Sequence, residues 1–156
     1  MPPAAPVFRD LAGQEIVVEQ LQRAVTGSVS LPANLSPSAA GMTHAWLFTG
    51  PPGSGRSLAA RAFAAALLCD RQGCGECQSC RQVAAGAHAD LLLVRPDGLS
   101  YGVRQTRDLV LKAAAAPIYG RWRIVLFEDA DRCTEQAANA LLKAIEEPSP
   151  RTVWLL

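Results

Sequence analysis

Lysine is nearly missing from this sequence: of 15 basic residues only two, Lys112 and Lys143, are lysines. An excess of either charge is missing too, since 15 basic residues against 14 acidic ones leave a net charge of +1. That balance excludes a globally basic nucleic-acid binder; any contact with nucleic acid must be local or shared with partners. No apolar run approaches the ~18 residues of a membrane span. Residues 1–10 lack a basic stretch followed by an apolar one, so no secretory signal is visible and the cytoplasm is the expected compartment. There is no internal repeat, and charged residues, at 19%, are too few for a disordered polyelectrolyte. What abounds is alanine, 27 of the 156 residues, which lifts the hydrophobic share to 49%. Length and apolar content suffice for one compact domain with a sizeable core. The Ala- and Arg-rich, Lys-poor bias points to a G+C-rich genome.

Short apolar runs alternate with helical patterns. Ile16, Val17, Leu21 and Ala24 are spaced to share a helix face, with Gly27 placed as a stop. Residues 30–41 are rich in Ser, Pro and Ala without periodicity and read as a flexible loop. Residues 45–49 form a first buried strand. Residues 57–68 form a helix with Leu58, Ala62, Ala65 and Leu68 at helical spacing. Residues 91–94 and 122–127 are further strands, separated by a helix over 103–114. Thr134 is placed to cap a helix that Pro148 stops. Residues 153–156 open a fourth strand. This order predicts an α/β fold with a parallel sheet. The sequence ends inside an apolar strand, which reads as a fragment of a longer protein.

The first chemical motif is Gly50-Pro51-Pro52-Gly53-Ser54-Gly55-Arg56-Ser57, set between a strand and a helix. That is the context of a P-loop, whose glycines let backbone N–H groups turn around a phosphate. Ser57 stands where a hydroxyl would ligand Mg²⁺. Arg56 replaces the usual lysine, keeping the charge but changing the donor geometry. Downstream, an apolar strand ends in Glu128-Asp129, the place of a Walker B acid pair. Their order is reversed: Glu128 is a methylene too long for the metal position and Asp129 a methylene too short for the water-activating one. Positioning supplies most of the catalysis in phosphoryl transfer, so both changes predict weak or lost hydrolysis.

Four of the five cysteines, Cys69, Cys74, Cys77 and Cys80, crowd into twelve residues. In an intracellular chain such spacing points to metal rather than disulfides. Two overlapping CxxC steps with small and polar residues between them predict a closed, structural Zn²⁺ site. A redox CxxC needs only two cysteines, and an iron–sulfur cluster is the other Cys₄ alternative. Cys133, His44 and His88 receive no role. The segment 69–86 holds only Arg71 and Arg81 as basic residues and no aromatic, which is poor material for reading nucleic acid directly.

A cysteine module placed directly after the P-loop helix resembles the bacterial clamp-loader subunits of the AAA+ ATPase type. The run from Thr134 through Asn139, Leu142 and Lys143 to Glu146-Glu147-Pro148 resembles the family's segment between Walker B and the fourth strand. Phe8-Arg9-Asp10-Leu11-Ala12-Gly13-Gln14 resembles its N-terminal element near the nucleotide base, and Gly86-Ala87-His88-Ala89-Asp90 its segment after the zinc module. The family's motor subunits (gamma/tau) carry the P-loop lysine and an Asp-Glu Walker B. Arg56 and Glu128-Asp129 make this chain look like the non-motor type, and the Ala/Arg bias suits an actinobacterial version. The resemblance implies a P-loop AAA+ fold over 1–156 with an inserted Cys₄ zinc module at 69–86. It further implies a fifth strand beside the first, a helical lid and a collar, none within this sequence, and an arginine finger beyond the fourth strand. It implies a subunit of the DNA polymerase III holoenzyme that helps load the sliding clamp onto primed DNA. Its partners would be delta and gamma/tau; its cofactors structural Zn²⁺ and, in a degenerate site, ATP with Mg²⁺. An active ATPase motor of the same loader is the alternative.

Overall fold

A computed structural model describes residues 3–30 and 42–156. The loop expected at 30–41 lies outside them, apart from Ser30, where the first helix ends. A 3₁₀ turn at Pro6–Phe8 leads to helix α1 (Glu15–Val29), strand β1 (Ala45–Trp46), and helices α2 (Arg56–Leu68) and α3 (Gln78–Ala84). Strand β2 (Leu91–Val94), α4 (Val103–Ala113), β3 (Arg123–Phe127), α5 (Glu135–Glu146) and β4 (Thr152–Leu155) follow. The four strands form one parallel sheet in the order β1-β4-β3-β2. The expected α/β class is therefore the observed one.

Both faces of the sheet are covered, which is why its central strands read as unbroken apolar runs. Every residue of β3 and β4 is buried. Side chains alternate between two cores. Ile124, Leu126, Val153 and Leu155 pack with Leu21 and Val25 of α1, Phe63 of α2 and Val83 of α3. Val125, Phe127 and Trp154 pack with Leu109 of α4 and Leu141 of α5. Helix α2 is alanine-rich and buried almost all round, from Ala59 and Ala60 through Ala62 to Leu68. Its small side chains let the backbone lie close to the sheet. Leu58 is the exception to the expected face, being 53% exposed.

Helix α1 departs from expectation in two ways. It runs through Gly27 to Val29, since one glycine costs only about 1 kcal/mol in a helix and the packed face outweighs that. Its buried face is Val18, Leu21, Ala24, Val25 and Ser28, whereas Ile16 is 75% exposed. The first strand is shorter than expected. Regular pairing with β4 covers only Ala45 and Trp46. The chain nevertheless stays alongside, because the Phe48 N–H donates to the Leu156 carbonyl at 2.8 Å. Thr134 caps α5 as expected, its hydroxyl accepting the Ala137 N–H at 3.1 Å. Among the described residues no helix is long and apolar enough to cross a membrane.

Candidate functional sites: a glycine-rich cleft and a cysteine cluster

The turn from β1 to α2 is built on glycine. Gly53 and Gly55 have φ of +79° and +89°, a left-handed conformation that favours glycine, and Gly55 caps α2. Arg56 and Ser57 thus open the helix at the carboxyl ends of the strands, where open α/β sheets place ligands. A cleft of roughly 330 Å³ there is lined by Thr49, Gly50, Arg56, Ser57, Glu128 and Asp129, among others. The structure therefore brings together the two halves of the predicted site. Pro51, Ser54 and Gly55 line an adjoining cleft with Leu11 and Trp46, and Pro52 and Gly53 line neither. The Ser54 hydroxyl is buried without a hydrogen-bond partner inside the turn, an open polar group that fits a phosphate-binding loop.

Glu128 is not free to hold a cation. Its Oε1 accepts from Arg61 Nη2 at 3.1 Å and its Oε2 from Arg95 Nε at 2.8 Å. The side chain is 15% exposed. Burial pushes its carboxyl up, but the bonds and charges of Arg95 and Arg61 outweigh that and hold it below the usual carboxylate range. Its neighbour Asp129 sits at φ +53°, half-exposed, with Arg132 Nε 3.9 Å from its carboxylate. Of the two acids expected to form the Walker B pair, Glu128 is thus paired with two guanidiniums, whereas Asp129 has, among the described residues, only this distant one. The backbone around Glu128 is fixed as well: its N–H donates to the Val94 carbonyl at 3.0 Å. Its own carbonyl accepts from the hydroxyl of Tyr101, which stacks on Phe127 with centroids 4.1 Å apart.

Sequence reasoning missed Arg61, Arg95 and Tyr101. Arg61 lies one helical turn beyond Ser57, a spacing that could have drawn attention. Arg95 follows β2, and only the register that pairs Val94 with Phe127 brings it beside Glu128.

The sulfur atoms of Cys69, Cys74, Cys77 and Cys80 all lie within 4.8 Å of one another, and none is in a disulfide. Cys69 Sγ is 3.7 Å from those of Cys74 and Cys77. A tetrahedral site with metal–sulfur bonds of about 2.3 Å needs sulfurs about 3.8 Å apart, so these residues fit a tetrahedral metal ion. The Cys77 and Cys80 N–H groups donate to the sulfurs of Cys74 and Cys77, both at 3.4 Å. Such bonds stabilise thiolates. The Glu76 N–H, with that of Cys77, lowers the Cys74 thiol to about 6, while burial pushes the Cys80 thiol up. Gln72, Gly73 and Gly75, all at positive φ, make the tight turns between the ligands, and Cys77 caps α3. Cys133 stands apart, its backbone bridged to Tyr101.

Comparison with known proteins places this arrangement. The family model described as "DNA polymerase III, delta subunit" matches residues 34–156. DNA polymerase III subunit delta' of Pseudomonas aeruginosa is 43% identical over 119 residues, covering 72% of this chain and 36% of that protein. Subunit delta' of Bacillus subtilis is 36% identical over 118 residues, 74% of this chain and 36% of that protein. Subunit gamma/tau of Mycobacterium bovis is 36% identical over 154 residues, 95% of this chain and 24% of that protein. The chain thus spans about a third of the length of the delta' relatives and about a quarter of gamma/tau. With the parallel sheet, the glycine-rich turn and the cysteine cluster, these matches establish that the chain belongs to the DNA polymerase III delta-subunit family, as a delta-prime-like protein of AAA+ fold.

Proposed function

We propose that the chain is the nucleotide-fold part of a delta-prime subunit of the DNA polymerase III clamp loader, with an ATP site that does not turn over. In this reading it works in the cytoplasm beside delta and gamma/tau, and meets the sliding clamp and primed DNA through the assembled complex. Residues 50–57 are its phosphate-binding loop. The cysteine cluster at 69–86 is a structural zinc module, since four sulfurs leave no open coordination position for catalysis. One observation carries the loss of hydrolysis: Glu128, at the metal-binding position, spends both carboxylate oxygens on Arg61 and Arg95.

The test is Mg²⁺-ATP turnover by the full-length protein, alone and in the assembled loader. We expect negligible turnover from this subunit's site, and Arg56→Lys alone does not restore it, because Glu128 and Asp129 remain as they are. The gamma/tau relatives align with 95% of the chain, including N-terminal residues outside the family match, and this favours a second reading as an ATPase motor. Turnover that disappears in Arg56→Ala would establish that reading instead.

A further inference from the structure

The cysteine turn and the glycine-rich turn lie at opposite ends of one helix, and one N-terminal segment touches both. Gly55 caps α2 at its start and Cys69 caps it at its end. We infer that a metal ion held by the four cysteines fixes residues 5–11, and through Leu11 one wall of the cleft beside the glycine-rich turn. This rests on the reading of Cys69, Cys74, Cys77 and Cys80 as a metal site, and on nothing about what the cleft binds.

The ligands come from two kinds of place. Cys69 at the end of α2 and Cys80 in α3 are buried, so the core itself positions them. Cys74 and Cys77 are half-buried and sit on the turn between those helices. Metal–sulfur bonds would tie that turn to the two buried ligands. Residues 5–11 in turn lean on it. Among the described residues, the only backbone hydrogen bond joining residues 5–11 to a distant part of the chain is that of the Val7 N–H to the Gly73 carbonyl. Their other backbone bonds are local: the Phe8, Arg9 and Leu11 N–H groups donate to the carbonyls of Ala5, Pro6 and Phe8. The two pieces of chain are also in close contact. A Cβ built on Gly75 would lie 3.4 Å from Pro6 Cβ, and one on Gly73 3.3 Å from Ala5 Cβ. At the far end of the segment, Leu11 lines one cleft with Cys74 and Cys80 and another with Gly50, Ser54 and Gly55. Its Cδ2 lies 3.9 Å from the place a Gly55 Cβ would take. Phe8 and Leu11 are themselves buried, so loss of metal lets the segment open locally and leaves the domain folded.

The experiment is amide hydrogen exchange on the full-length protein, loaded with one equivalent of Zn²⁺ or stripped by a chelator under reducing conditions. On stripping, exchange over residues 5–11 should speed up by about tenfold or more together with that of 69–86, while the amides joining β2 to β3 keep their protection. Val7→Pro removes the N–H donor and leaves the four cysteines in place. It should keep stoichiometric zinc and a protected 69–86, yet exchange over 5–11 as fast with metal as the parent does without. Because proline there could disturb the 3₁₀ turn, Val7→Ala is the companion, trimming only the side chain beside Gly73 and giving a smaller shift in the same direction. Faster exchange confined to 69–86 overturns the inference and leaves the zinc reading standing. Faster exchange everywhere, β2 and β3 included, overturns it as well, since the metal then holds the whole fold. Release of 5–11 on stripping with both Val7 variants behaving as the parent overturns the route through Val7 and Gly73. Purified protein that takes up no zinc overturns the metal reading itself and the inference with it.

Discussion

Asp90 has no exposed surface, yet it is an acid without a full salt bridge; Arg123 comes no closer than 3.9 Å. Its carboxylate is held by three backbone N–H groups, those of Ile118 at 2.5 Å, Tyr119 at 2.8 Å and Gly120 at 2.6 Å. A Cβ on Gly120 would come within 2.9 Å of Leu68 Cδ2 and 3.3 Å of Asp90 Oδ2, so a larger residue there would have to push these side chains aside. His88 accepts the Asp90 N–H on Nδ1 at 3.0 Å. Burial raises the Asp90 carboxyl, but the N–H groups and the His88 charge outweigh it and bring it below its ordinary value. Burial also lowers His88, against the pull of Asp90, so the neutral imidazole is favoured. Both groups bind protons more weakly folded than unfolded. Their stabilisation is present above the unfolded values, about 6.5 for His and about 3.9 for Asp, and is lost as pH falls through the folded ones. Stability should therefore begin to fall below about pH 6.5 and fall again at lower pH as Asp90 protonates. Asp90→Asn should cost about 2–4 kcal/mol at pH 7 and flatten the second fall, read from denaturant melts across a pH series. A variant as stable as the parent at pH 7 would count against this role. The sequence drew no attention to Asp90 beyond the segment containing it, because its three partners lie 28 to 30 residues away.

Among the elements, the cysteine turn is fastened to the N-terminal segment. The Val7 N–H donates to the Gly73 carbonyl at 3.2 Å, and Thr26 of α1 reaches Gln72. Gly73 has φ +104°, and a Cβ there would lie 2.6 Å from Val7 Cγ2 and 3.3 Å from Ala66 Cβ. Gly73→Val should thus destabilise the protein by about 2 kcal/mol or more and speed hydrogen exchange over residues 5–11. Exchange that rises only within 69–86 would argue against the fastening. Cys77→Ser should sharply lower zinc affinity and loosen 69–86. Purified protein without stoichiometric zinc, together with an unchanged melt for Cys77→Ser, would remove the zinc assignment. Elements whose apolar residues face two cores were legible from sequence: β2 is found at Leu91–Val94 and β3 begins one residue after its expected start. The cysteine ligands were legible because their spacing is local. The face of α1 was legible in part: Val17, Leu21 and Ala24 meet the core as expected, but Ile16 turns outward while Val18 and Val25 turn in, and only packing decides that. The Arg61–Glu128–Arg95 bridge was also out of reach, because it joins three elements whose alignment depends on sheet register.

At the scale of the whole molecule the sheet is ordered differently in space and in sequence. Strands β2, β3 and β4 neighbour one another consecutively, whereas β1 pairs only with β4 among the described residues. Ala45 meets Trp154 and Trp46 meets Leu155, so the first strand and the glycine-rich turn that follows it are anchored by the last few residues. Closing this pairing spans a loop of about a hundred residues, an entropic cost that favours late formation. Pulse-labelled exchange during refolding should find the amides of Trp154 and Phe48, which bond to the His44 and Leu156 carbonyls, protected after those joining β2 to β3. Simultaneous protection would contradict this order. The same geometry bears on synthesis. As the chain leaves the ribosome, the cysteine turn and the β2–β3 pair can form while β4 is still unmade. The glycine-rich turn leaves the ribosome before either of them, yet the strand it follows gains its sheet neighbour only once β4 has been made.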